Sequence, residues 1–420
     1  MYDNVVLKGH EGPITKIKFG KNNVLFSCSK DKKIICWDMV NKKSIWELND
    51  LSFHRGAILD IDINKNLLVS GSSDCSSCIW DLTNQKLLKK IECDSIVCCV
   101  SLCDDKLAIV QDKKFGAQPK IIVYSFDEIT NNFDKLVELA VKSKVKIVKC
   151  LFANDETIYS GSEDGSVYCW NIKDKKIVKE YKFDEPIKDL LYMNDKNMLI
   201  VCLKKKVIFI DDKQDEQKEL VLDNEINSCS FSDDYLIFGG GVDPMRVALE
   251  ERKENQFDVF IYDNDLKKIG STSGHFGPIN CTSFSLDGCI YCSGSEDGTI
   301  RVNEKKENKL FPLIETKKKI VQTNQKYVAP KALSTFDKNT TFSSSKKNTD
   351  PNTLYVSNLS YDMTEDDLYY LFECAGDIRR IKKPEGRNIA FITYYRQCDA
   401  DYARGKFNNY GYQHMILHVN

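Results

Sequence analysis

One period constrains this chain more than any other feature. Aspartate or asparagine closes short apolar runs at positions 38, 81, 127, 171, 211, 263 and 303, an average spacing of about 44 residues. The unit that repeats is clearest in residues 274–302, GHFGPINCTSFSLDGCIYCSGSEDGTIRV. Gly-His opens it, an alternating run through Ile279, Cys281 and Ser283 follows, and turns at Asp287-Gly288 and Asp297-Gly298 separate two further strands. A three-stranded meander of this kind is barely stable alone, so each unit needs copies of itself as neighbours.

The better-formed units share a polar set at fixed spacing, with a Ser four residues before an Asp and a Trp six after it. The sets are Ser27, Asp31 and Trp37; Ser70, Asp74 and Trp80; and Ser160, Asp164 and Trp170. His10 and His54 precede the first two, and the last unit has His275, Ser293 and Asp297 with Asn303 in the Trp position. Ser, His and Asp together raise the possibility of a hydrolytic triad. Recurrence at constant spacing with a Trp donor attached favours a structural role instead, because a triad occurs once. The remaining histidines, His414 and His418, join no cluster with metal-ligand spacing, and Cys75-Ser-Ser-Cys78 has no second pair, so neither metal, cofactor nor small-molecule substrate is expected.

These motifs and their period resemble WD-repeat proteins. The resemblance implies a seven-bladed β-propeller over residues 1–303, each blade four strands deep, with an N-terminal strand near residues 3–7 completing the last blade. Residues 242–256 read as a long rim loop after Gly239-Gly240-Gly241. That glycine run is a poor phosphate cradle, because no Gly-Lys-Ser/Thr follows it.

Charge divides the chain further. Residues 1–303 carry a net −7, residues 304–352 a net +6 and residues 353–420 a net −1. The middle stretch is read as a basic, partly disordered linker able to meet a polyanion. Its apolar run, Leu310-Phe311-Pro312-Leu313-Ile314, suits docking on the propeller better than a pure spacer. The 17 scattered cysteines, an N-terminus unlike a signal peptide and the lack of a membrane-length apolar run lead us to expect reduced thiols in a cytoplasmic protein away from membranes.

Residues 353–420 read β-α-β-β-α-β. The strands are expected at 354–359, 378–382, 389–394 and 415–419, and Thr364 caps a helix whose apolar face is Leu368, Leu371 and Phe372. This small α+β domain of ferredoxin-like order resembles the RNA-recognition motif. Leu354–Leu359 fits that family's hexamer and Arg387–Tyr394 its octamer. The resemblance implies base stacking on Tyr355 and Phe391, with Ile389 at the third stacking position and Arg387 placed for a phosphate. Arg379, Arg380, Lys382 and Lys383 add a basic strip. Loss of one platform leaves protein binding as the alternative use of this face.

Two stretches are more specific. Phe238–Gly241, the Met245 loop and Gly274–Asn280 resemble the last two blades of subunit i of eukaryotic translation initiation factor 3. Val356–Ser360, Leu368–Phe372 and Gly411–Leu417 resemble the RNA-recognition motif of subunit g, and Lys326–Pro330 the segment preceding it. The zinc knuckle usual in subunit g has no counterpart, since residues 304–352 hold neither Cys nor His. The resemblance implies a natural fusion of the two subunits: a non-enzymatic scaffold that contacts subunit b and other subunits. It would act on the small ribosomal subunit and meet single-stranded messenger or ribosomal RNA in pre-initiation complex assembly. The alternative is a scaffold of the same two modules in RNA processing.

Overall fold

The computed structural model describes residues 5–48, 53–112, 118–127, 132–140, 145–242, 255–305, 351–357, 359, 364–384, 388–407, 411–412, 415–416 and 418–419. The rim loop at 243–254, the linker at 306–350 with its run Leu310–Ile314, and Arg387 lie outside them. The described residues fall into two compact units, one within 5–305 and the other within 351–419. Among the described residues no helix is long and apolar enough to cross a membrane.

Among its described residues the first unit holds seven antiparallel four-stranded sheets in sequence order. The first runs Ile14–Phe19, Val24–Ser29, Ile34–Asp38 and Lys43–Leu48, and the next five repeat that order. The seventh has only three consecutive strands, Ile279–Phe284, Ile290–Ser295 and Ile300–Glu304, and takes its fourth from the other end of the unit. Val5–Leu7 pairs antiparallel with it, Val5 opposite Val302 and Leu7 opposite Ile300. The free edge of the seventh sheet is thereby covered, as its missing strand leads one to expect.

The first strand of each sheet lies beside that of the next, and Ile279–Phe284 lies beside Ile14–Phe19. Six of these seven strands carry a bulge at the same place, after Ile14, Ile58, Val97, Ile147, Ile226 and Ile279. Side chains of the first strands reach the neighbouring sheet, where they take up backbone groups that would otherwise be unpaired. Asp60 accepts from Val100 N–H at 3.1 Å and Asp62 from Leu102 N–H at 2.8 Å. Asp189 does the same for Cys229 at 3.1 Å, and Ser228 for Thr282 at 3.1 Å. Asn280 closes the cycle by donating to Ile14 O at 2.9 Å.

Glycine in the second strand permits this approach. A Cβ at Gly239 would sit 2.7 Å from Ile279, which gives that glycine run a packing role. At Gly294 it would meet Ile14 at 2.5 Å and Cys281 at 2.8 Å.

The second unit has a sheet ordered Ile378–Lys382, Ile389–Tyr394, Thr353–Ser357, His418–Val419, with helices Glu365–Phe372 and Gln397–Phe407. Leu354, Val356, Leu368, Phe372, Ile392 and Phe407 form its buried core. One strand departs from expectation. The stretch 415–419 is split: Met415–Ile416 forms a hairpin with Gly411–Tyr412, and only His418–Val419 joins the sheet, opposite Ser357 and Val356. Tyr412 pairs with Met415, and that local pairing takes the first half of the run from the main sheet.

Gly294→Ala is expected to lower stability by about 1–3 kcal/mol, because fully buried Ile14 has no room to retreat. Urea unfolding measures it; an unshifted midpoint would mean that the seam between first and last sheets is looser than described.

Candidate nucleic-acid interface

The polar sets of the first unit come together as hydrogen-bonded chains. Trp37 can only donate and the Asp31 carboxylate can only accept, which fixes the direction. Trp37 Nε1–H donates to Ser27 Oγ at 2.8 Å, the Ser27 hydroxyl to His10 Nε2 at 2.8 Å, and His10 Nδ1–H to Asp31 at 2.8 Å. Asp31 also accepts from the N–H groups of Glu11 and Lys33, both at 2.9 Å. The second sheet repeats the chain through Trp80, Ser70, His54 and Asp74 at 3.4, 2.8 and 3.2 Å. In the seventh, Ser293, His275 and Asp297 are joined at 2.8 and 3.0 Å, with Asn303 buried in the Trp position. The fourth sheet has Trp170 donating to Ser160 at 2.9 Å, while Asp164 accepts from Ser166 N–H and pairs with Lys182 at 3.6 Å.

The order Ser–His–Asp is that of a hydrolase, but the serines are sealed. Ser27, Ser70, Ser160 and Ser293 are at most 1% exposed, and Trp donors occupy the hydroxyls of the first three. Burial works against charge on Asp31, Asp74 and Asp297. The paired histidines and backbone N–H donors outweigh it and hold all three carboxyls below their ordinary range. Burial also holds His275 below its ordinary value, against the pull of Asp297.

The second unit presents a different surface. Its register puts Thr353, Tyr355 and Ser357 on one face together with Thr393, Phe391 and Ile389, while Leu354, Val356, Ala390 and Ile392 turn inward. Tyr355 and Phe391 sit directly opposite one another, 38% and 39% exposed, with ring centroids 5.5 Å apart and planes at 62°. Ile389 is half-buried opposite Ser357.

The basic strip is less uniform than its sequence suggests. A bulge between Ile378 and Arg380 resets the pairing so that Arg380 faces Thr393 and Lys382 faces Phe391. Those two therefore share the aromatic face, whereas Arg379 falls in the bulge. Lys383 lies past the strand, where its N–H donates to Glu365 at 2.8 Å. Lys382, Phe391 and Tyr355 make one cross-strand row of a cation and two rings. No motif could have placed that row, because the extra residue of the bulge decides which cations point with the rings.

Burial pushes the Cys36, Cys99 and Cys281 thiols up to about 12, and the 16 cysteines whose side chains are described are free thiols. Cys75 and Cys78 are both buried. One group among the described residues, Cys103, Asp104 and Asp155, brings potential ligand atoms within 4.8 Å of one another. It lies at the surface, and Lys106 already stands 4.0 Å from Asp155.

Known families match both units. The model for the WD domain, G-beta repeat, matches residues 3–38, 46–81, 142–171 and 266–302, and that for the RNA recognition motif matches 354–418. The chain is 30% identical over 318 residues to eukaryotic translation initiation factor 3 subunit I of Drosophila mojavensis, covering 71% of this chain and 96% of that relative. The subunit I of Kluyveromyces lactis is 30% identical over 319 residues, covering 71% and 91%. That of Nematostella vectensis is 28% identical over 311 residues, covering 71% and 95%. This chain belongs to the eukaryotic translation initiation factor 3 subunit I family.

Its likeness to subunit I accounts for the repeat unit, and the RNA recognition motif stands beyond that likeness as a second module in the same chain. The repeat matches coincide with the first, second, fourth and seventh sheets, those that carry the polar chains. In this subunit I relative, His54→Ala should lower stability by about 1–3 kcal/mol by leaving Ser70 and Asp74 short of a partner. The lowered values of His275 and the three aspartates favour folding in the unprotonated state. Their contribution is complete above about pH 6.5 for His275 and above about pH 4 for the carboxyls, and is lost as pH falls through those windows. Melting temperatures should hold from pH 8 to 7 and then drop in two stages, the first reduced in His275→Gln. A variant with the parent's slope between pH 7 and 5 would rule out that assignment.

Proposed function

We propose that this chain is a subunit of eukaryotic translation initiation factor 3 in which the roles of subunits i and g are fused. The seven sheets are the blades of one closed propeller, which works as a non-enzymatic scaffold for subunit b and other subunits on the small ribosomal subunit. The C-terminal module, of the subunit g type, binds single-stranded messenger or ribosomal RNA during assembly, recruitment and scanning in the cytoplasm. The observation that carries this reading is the row Lys382–Phe391–Tyr355 on the solvent face of the second unit, in a chain whose first unit is of subunit I type. Two neighbouring rings offer π-faces to successive bases, and the cation at the end of the row lies where a phosphate would run. The sealed serines support a scaffold rather than a hydrolase.

Each stacked base is worth about 1–3 kcal/mol, and only two rings are present, so binding should be modest and tolerant of sequence. The full chain with Tyr355→Ala and Phe391→Ala should bind short single-stranded RNA at least about tenfold more weakly, with its melting unchanged. Ile389→Phe should tighten binding by supplying a third ring. Fluorescence anisotropy decides this. If the double variant binds as the parent does, the sheet face is not the RNA site and the protein-binding use of the motif is favoured.

A further inference from the structure

Consecutive sheets of the repeat unit come closest one residue beyond the place of Ser70 in the second strand. Gly71, Gly161 and Gly239 occupy that position, and a Cβ there would lie 2.6, 2.7 and 2.7 Å from the next sheet. The fifth sheet differs. By register Cys202 stands there, following Val201 in the place of Ser70. Gly161 faces Ile187 and Leu190 of the next sheet, and Gly239 faces Ile279 and Thr282. The residue of the sixth sheet that matches Leu190 and Thr282 is Cys229, and it meets Cys202 with the two sulfurs 2.8 Å apart. Both side chains are buried.

A disulfide is about 2.05 Å long, so closing one here asks the sulfurs to move by only about 0.8 Å. A small molecule can also reach the pair. The seven first strands surround a cavity of about 370 Å³ that Cys229 borders, together with Lys16, Lys18 and Lys149. Lys18 pairs with Asp62 and Lys149 with Asp60, whereas Lys16 makes no ion pair among the described residues. Burial, with Cys202 and Asp189 alongside, holds the Cys229 thiol well above its ordinary value, and the Lys16 charge works against that rise. Cys202 is raised too, chiefly by burial. The reduced pair is therefore the resting state, and its oxidation is slow beside that of the exposed Cys289.

We propose that Cys202 and Cys229 form a disulfide on exposure to hydrogen peroxide, locking the fifth sheet to the sixth. The Cys229 sulfur attacks the O–O bond and takes one hydroxyl as a sulfenic acid, while its thiol proton leaves with the other as water. The Cys202 sulfur then displaces that hydroxyl, which departs with the Cys202 proton as a second water. Two thiols and one peroxide become one disulfide and two waters: the sulfurs are oxidised and the peroxide is reduced. The bond joins strands Met198–Cys202 and Ile226–Phe231, so that seam opens again only on reduction.

Oxidation of the folded full chain by hydrogen peroxide tests this, with the remaining thiols blocked and tryptic peptides mapped by mass spectrometry. Cys202 is the one cysteine of tryptic residues 197–204 and Cys229 the one cysteine of 219–246. These two peptides should appear joined, two hydrogens lighter than their sum, and should separate with dithiothreitol. The urea midpoint of the oxidised chain should lie above that of the reduced chain, because the bond constrains the unfolded state. Cys202→Ala and Cys229→Ala should each lose both the joined peptide and the shift. The parent's peptide map remains readable even if neither variant folds. Both cysteines recovered as blocked thiols, after about tenfold the exposure that fully oxidises Cys289, overturn the proposal. A sulfinic acid at Cys229 with Cys202 untouched, or pairing of either with a different cysteine, overturns it too. A joined peptide that leaves the urea midpoint unchanged overturns the lock.

Discussion

The first strand of every sheet in the repeat unit has one edge with no strand to pair with, and seven such edges converge on the middle of the unit. Left bare, their N–H and C=O groups would carry the desolvation cost of unmade hydrogen bonds. Side chains of the neighbouring strand answer part of that demand. Asp60, Asp62, Asp189 and Ser228 accept backbone N–H groups from the next sheet, and Asn280 reaches from the last sheet back to the first. Lys149 at 3.2 Å from Asp60 and Lys18 at 2.9 Å from Asp62 offset the charge this introduces. Outward from these edges, residues of one strand alternate between two cores. Ile35 and Trp37 pack toward the seventh sheet, Ile34 and Cys36 toward the second. A sheet apolar on both faces has no stable existence without two neighbours, so the cycle must close.

Within a sheet, burial is handled in two ways. Four sheets keep a Ser at the centre of the second strand and tie it to Trp, to His or to both. The other three remove the polar groups. By register, Phe238 and Tyr262 stand in the sixth sheet where Ser70 and Trp80 stand in the second, and their rings meet edge-on at 5.4 Å. Val201 and Ile210 fill the same two places in the fifth, and Ile109 and Tyr124 in the third. Replacing both partners of a buried hydrogen bond by apolar groups is close to neutral, whereas replacing one is costly. The motif is therefore present nearly whole or absent, and repeats without it fold alongside repeats with it.

That difference governs what could be read from the sequence. The closing Asp or Asn positions lie at or next to the end of each third strand, beside the turn that follows, and turn chemistry is local, so the period was legible through all seven units. The N-terminal strand was legible because the last unit is one strand short. Local too are Leu368, Leu371 and Phe372, which lie on the buried side of the helix at 365–372. Contacts between sheets were not legible, since Asp60 and Val100 are partners only across neighbouring repeats. In the second unit the rings Tyr355 and Phe391 followed from the resemblance to the RNA-recognition motif. The choice of Arg380 and Lys382 over Arg379 depended on the bulge after Ile378, and the break in 415–419 on a hairpin that alternation does not reveal.

A scaffold built by mutual burial offers rigid surfaces, and a small sheet with two exposed rings offers weak, adaptable contact to bases. On the proposed function, joining them in one chain replaces an association between subunits with a covalent tether, so that an RNA module of modest affinity is delivered wherever the scaffold docks. The central claim is that one chain does the work of two subunits, and composition of the native complex tests it most directly. Purified through a tag on this chain, the complex should sediment with small ribosomal subunits and contain other initiation factor 3 subunits, with no separate chain carrying a subunit g type RNA-recognition motif. A stoichiometric, separate subunit g in that complex, or sedimentation of the chain apart from small ribosomal subunits, would contradict the account.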